Sequence, residues 1–146
     1  MPNTVLLDDE VLETEEPEVV EKNKKDPFAY WIVEGKEYKL KLKTREITKI
    51  EQRLGGNLLS VLNNKENSIP PIATMLYITH AAMQPWNHGI TLQDVYNLFD
   101  KYCDEGGSQL AFFAGPFMDI YSVSGFFTEN QNSEMEQNLK EAKASF

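Results

Sequence analysis

The chain of 146 residues has a single cysteine, Cys103. No intramolecular disulfide can form, and this usage suits a reducing compartment. With only two histidines beside that thiol, no zinc site of Cys/His spacing can be assembled. Long apolar runs are missing too. The longest weakly polar stretch, 110–127, is interrupted by Gly115-Pro116, Asp119 and Gly125, and a bilayer span needs roughly 20 apolar residues. The first residues hold no basic cluster leading into an apolar stretch, so they do not read as a secretory signal. No GxGxxG or Gly-Lys-Ser/Thr pattern is present, and neither Gly55-Gly56 nor Gly106-Gly107 follows a buried strand. The expectation is a soluble cytoplasmic protein without metal, cofactor or membrane partner.

What is present is acid, unevenly spread. The 14 basic and 23 acidic side chains leave a net charge of -9. Nine acidic residues and three lysines precede Phe28, whereas 14 acidic and 11 basic residues follow from it. Such a balance repels phosphate over most of the surface, which argues against a nucleic-acid partner. Residues 1–27 contain no aromatic residue, so this acidic leader cannot offset its ordering entropy and is expected to be disordered. Its short apolar clusters, Val5-Leu6-Leu7 and Val11-Leu12, could dock on a partner or on the protein itself.

The folded part is expected over 28–128, mainly helical, with a small N-terminal β-hairpin and about five helices in a single domain. Residues 29–34 are β-branched and aromatic, and 37–43 alternate, with Tyr38, Leu40 and Leu42 on one face and charges on the other. Thr44 is placed to cap a first helix with the stripe Ile47, Ile50, Leu54, ended by Gly55-Gly56. Asn57 starts a short helix at 58–62, and Pro70-Pro71 opens a third that runs to about Met83. Thr91 and Asp94 approximate a capping box for a fourth with the stripe Leu92, Val95, Tyr96, Phe99, Tyr102-Cys103. Ser108 caps a fifth through Leu110, Phe113, Phe117 and Tyr121, kinked at Gly115-Pro116. A polar, helix-forming tail occupies 129–146.

Catalytic chemistry finds few candidates. Cys103, His80 and Asp100 supply the residue types of a thiol triad, but Cys103 shares the Phe99 stripe, where a small buried hydrophobe belongs. His80 and His88, eight residues apart across Pro85, suit a loop-closing hydrogen bond better than a metal. Asp94, Asp100 and Asp104 do not follow a calcium-loop pattern. The basic row Lys36, Lys39, Lys41, Lys43, Arg45, Lys49, Arg53 reads as a solvated face or as a dock for an acidic segment, the leader included. The C-terminal helix has more rings than one small core needs. Phe113, Phe117, Tyr121, Phe126 and Phe127, with Tyr96 and Tyr102 behind them, are therefore the expected partner contacts.

The run from Tyr38 to Arg45, then Ile50-Glu51, Leu54-Gly55-Gly56-Asn57-Leu58-Leu59, His88-Gly89-Ile90, Asp94-Val95-Tyr96, Gly106-Gly107 and Ser124-Gly125-Phe126-Phe127 resembles the tail-assembly chaperones of phages and prophages of Gram-positive bacteria. These are encoded just upstream of the tape-measure gene. The resemblance implies a mostly helical, non-catalytic protein that coats the tape-measure protein, and tail-tube subunits as a further partner, until the tube assembles. It also implies self-association, action in the host cytoplasm and absence from the finished virion. A competing expectation is an acidic adaptor or inhibitor whose leader binds a basic protein. A small enzyme is the remaining class, and no residue constellation requires one.

Overall fold

A computed structural model describes residues 27–62, 69–128, 130–134 and 137–138. The expectations for the acidic leader and for most of the polar tail lie outside these residues.

Alternation on the second strand sets how the fold begins. Ala29–Val33 (β1) pairs antiparallel with Lys36–Leu40 (β2), with Trp31 opposite Tyr38 and Ala29 opposite Leu40. Glu34 and Gly35 join them with φ of 53° and 79°. Positive φ at both central residues matches the twist of a two-residue hairpin. The inner face, Ala29, Trp31, Val33 and Leu40 followed by Leu42, is at most 6% exposed. Because a two-stranded sheet is marginal alone, helices must cover that face. Helices from the middle and the C-terminal part of the chain do so.

Thr44–Leu54 (α1) begins one residue earlier than its expected cap allows. Thr44 is already helical and Lys43 holds the cap position without a side-chain bond. The stripe also sinks only in part, since Ile50 is buried and Leu54 is 42% exposed. Gly55, at φ 76°, closes the helix as expected. A 3₁₀ turn, Leu58–Val61, follows, with Asn57 Oδ1 accepting from the Leu59 amide. Ile72–Met83 (α2) starts just after Pro71, so the prolines precede the first turn instead of forming it. Met75, Leu76, Ile78, Thr79, Ala82 and Met83 are all buried, which makes α2 the central helix. Leu92–Asp104 (α3) carries the full reciprocal box between Thr91 and Asp94.

Gln109–Phe112 (α4), a π turn at Phe113–Phe117 and Met118–Val123 (α5) run on from the Ser108 cap. The expected stripe Leu110, Phe113, Phe117, Tyr121 is corrected here. Phe112, not Phe113, is fully buried, together with Phe117, Ile120 and Tyr121. Pro116 has no amide hydrogen to donate, and the π turn absorbs the missing bond by taking in one extra residue. The i to i+5 spacing then places Phe112 and Phe117 on one side.

Backbone ties fasten the strand end to the helices. The Lys41 amide donates to Ala82 O at 3.0 Å and the Leu42 amide to Ser124 Oγ at 2.9 Å. No helix among the described residues is long and apolar enough to cross a membrane.

Candidate binding surfaces

Two ring clusters meet the C-terminal helices. In the first, Trp31, Phe99, Tyr102 and Phe112 lie with centroids 5.0–5.9 Å apart, most of them edge to face. That geometry matches the positive edge of one ring to the negative face of the next. In the second, contacts run Phe113–Phe117 at 6.1 Å, Phe117–Tyr121 at 5.4 Å and Tyr121–Phe126 at 4.9 Å. Tyr121 OH donates to Leu58 O at 2.9 Å, tying the second cluster to the 3₁₀ turn. Burial, with the Glu51 carboxylate nearby, pushes the Tyr121 phenol well up.

The seven expected contact rings therefore separate. Phe117 and Tyr121 have no exposed surface, so they are core residues and are withdrawn from the partner surface. A helix that feeds two clusters needs its middle rings inside. Phe113, Phe126 and Phe127 are half-buried along the rim of the second cluster, and Tyr102 is half-buried in the first. Tyr96 is 38% exposed and lines a cleft of about 440 Å³ with Ile72, Leu76 and Phe99 between α2 and α3.

The polar candidates settle into local roles. His80 Nε2 lies 3.0 Å from Ile90 O and closes the loop after α2, while His88 is exposed. Burial pushes the Cys103 thiol up, and Asp100 and Asp104 add to the shift, the opposite of what an activated nucleophile needs. Asp94 is held below the usual carboxylate value by hydrogen bonds from Thr91. Among the described residues, no group of three His, Cys, Asp or Glu side chains could hold a metal ion.

The basic row divides. Lys39 and Lys41 stand 4.8 and 5.7 Å from the Phe28 ring, and Lys43 stands 5.1 Å from Trp86. Phe28 meets Trp86 edge to face at 4.8 Å, and the Trp86 indole donates to Lys41 O at 3.1 Å. Lys36 sits elsewhere, over Tyr38, beside a cleft of about 490 Å³ that also takes in Asp94 and Lys101. Arg53 covers Tyr77 at 5.0 Å. Among the described residues the ion pair is Lys101–Glu34, at 3.3 Å and more than half exposed on both sides. Among the described residues, Lys39, Lys41 and Lys43 thus stand over rings and form no ion pair.

With the surfaces laid out, the family match can be placed on them. The family described as a family of unknown function, DUF6096, matches residues 31–145. The chain belongs to the DUF6096 family. No curated protein and no solved structure matches it. The DUF6096 segment contains the inner hairpin face from Trp31 onward, both ring clusters and all of 38–127, while the leader, Phe28, Ala29 and Tyr30 precede it. Sequence reasoning missed Phe28 and Trp86 as members of a surface. The available signal was strand parity, because residues 28, 30 and 32 share one side of the hairpin with 39 and 41.

Proposed function

We propose that the protein is a non-catalytic phage tail-assembly chaperone that holds the tape-measure protein, and tail-tube subunits as a second client, before the tube closes. The reading is carried by the rim of Phe113, Phe126 and Phe127, rings left half in water beside a core that already holds Phe117 and Tyr121. Partly exposed rings on a packed support suit capture of the apolar stripe of an amphipathic helix. The net charge of -9 keeps a complex with an aggregation-prone client dispersed. The family resemblance over 38–127 supplies the identity of the client. The chaperone self-associates, works in the bacterial cytoplasm and is absent from the finished particle.

Co-expression with the tape-measure protein encoded nearby, and purification through a tag on this chain, tests the proposal. The client should become soluble and co-elute, and Phe126→Ser with Phe127→Ser should abolish co-elution while a cooperative melt is retained. An insoluble client with nothing co-eluting would overturn it. Co-elution of a basic protein that depends on residues 1–27 would favour the adaptor instead.

A further inference from the structure

The outer side of the hairpin gathers rings and lysines into one patch. Phe28 and Tyr30 are half-buried there and Ile32 is 56% exposed, with Lys39 opposite Tyr30, Glu37 opposite Ile32 and Lys41 one residue past the paired strand. Trp86 and Lys43 extend the patch past the strand end. Each lysine lies against a ring, so its methylene stem covers apolar surface while the ammonium stays in water. The occupant such a patch selects is a strand or turn that alternates carboxylates with aliphatic side chains. Carboxylates would meet the three ammonium groups, and the aliphatic groups would cover Tyr30 and Ile32.

We propose that this outer face docks the chain's own acidic leader, residues 1–26. The composition of the leader is complementary. Val5-Leu6-Leu7 is followed by Asp8-Asp9-Glu10, Val11-Leu12 by Glu13, Glu15 and Glu16, and Val19-Val20 lies between Glu18 and Glu21. The connection is also short, because the leader joins the fold at Pro27, next to Phe28 on the face itself. A strand of five residues is about 17 Å long. An extended chain gains roughly 3.3 Å per residue, so the segment around residues 8–16 can return across the whole face. A tether of this length gives an effective concentration of about a millimolar, which favours the leader of the same chain over free acidic peptides. Because exposed charge pairs are screened within about 10 Å at 0.1 M salt, the docking is salt-sensitive.

The full chain carrying a nitroxide at Glu10→Cys, with Cys103→Ser to leave one thiol, reads this directly in amide relaxation. At 50 mM NaCl, signals of Tyr30, Ile32, residues 39–43 and the Trp86 indole should broaden selectively. The broadening should fall at least threefold at 0.5 M NaCl and vanish in Lys39→Glu/Lys41→Glu/Lys43→Glu, whose inner-face signals serve as the check on folding. Uniform broadening, broadening centred on the Phe113–Phe126 rim, or insensitivity to salt and charge reversal would overturn the proposal. Transfer of the effect to an unlabelled-thiol, isotope-labelled second copy in a mixed sample would overturn it too, by placing the leader on a neighbour.

Discussion

Trp31 and Ile32 are adjacent in the chain, yet one is 1% exposed and the other 56%. The same inversion runs along the whole hairpin, with Ala29, Val33 and Leu40 against the helices and Tyr30, Lys39 and Lys41 turned away. Inside, rings contact rings. Outside, rings contact ammonium groups, and among the described residues these lysines form no ion pair, although Glu37 shares their side opposite Ile32. A two-stranded sheet with one face buried leaves its other face free of packing constraints, so the character of that face is not explained by the fold. The inner side accounts for folding, and the outer side is where we place the docking of the leader.

The contrast is most easily broken at Trp31. Trp31→Ala should cost about 3–5 kcal/mol in urea unfolding, the range for emptying a large aromatic site. A loss below about 1 kcal/mol would mean that the inner face is not the keystone of the core. Next in size is Tyr121→Phe, which removes the phenol donor from the buried Leu58 carbonyl and should cost about 1–2 kcal/mol. The same phenol gives an alkaline signature. Its pKa is raised by folding, so its contribution is complete below the ordinary value of 10.0 and is lost as the pH climbs toward its native value. Stability measured from pH 9 upward should fall less steeply in Tyr121→Phe than in the parent.

Smaller again is Thr91→Ala, which removes one half of the α3 cap and should cost about 1 kcal/mol at neutral pH. Asp94 has a lowered native pKa, so its share is present above the ordinary value of 3.8 and disappears as the pH falls through the native one. The gap between Thr91→Ala and the parent should therefore narrow in acid, as followed by thermal melts. The smallest effect belongs to the outer face. Ile32→Ser should shift stability by no more than about 0.5 kcal/mol. A larger loss would show that the two faces are not separable.

Local chemistry was legible in the chain wherever the deciding contacts lay within a few residues. The alternation at Tyr38, Leu40 and Leu42, the left-handed Gly55, the box between Thr91 and Asp94 and the Ser108 cap all depend on neighbours. The loop closed by His80 follows from an imidazole placed ten residues before the Ile90 carbonyl. Thr44 is the residue type that caps best, yet it is already helical and Lys43 holds the cap with no side-chain bond, which no local rule gives. Phe113 was given the place of Phe112 because a regular 3.6-residue period was carried through Pro116. Phe28 and Trp86 were not linked, since 57 residues of folding bring them together and no local rule spans that distance.

The π turn at Phe113–Phe117 has a consequence for how the chain tolerates length changes. Such a turn is a helix that has accommodated an insertion. Were these residues wound as ordinary α-helix, with none bulged out, everything beyond would swing by about 100°. Deleting Gly115, by contrast, would leave Phe112 and Phe117 four positions apart and still on one face. Unbulged winding would take Tyr121 from the Leu58 carbonyl while Phe112 stayed beside Trp31, so the two ring clusters could no longer be served by one continuous rod. The bulge is the gear tooth that keeps both halves of the helix in mesh, and a chain shorter by that one residue needs no tooth.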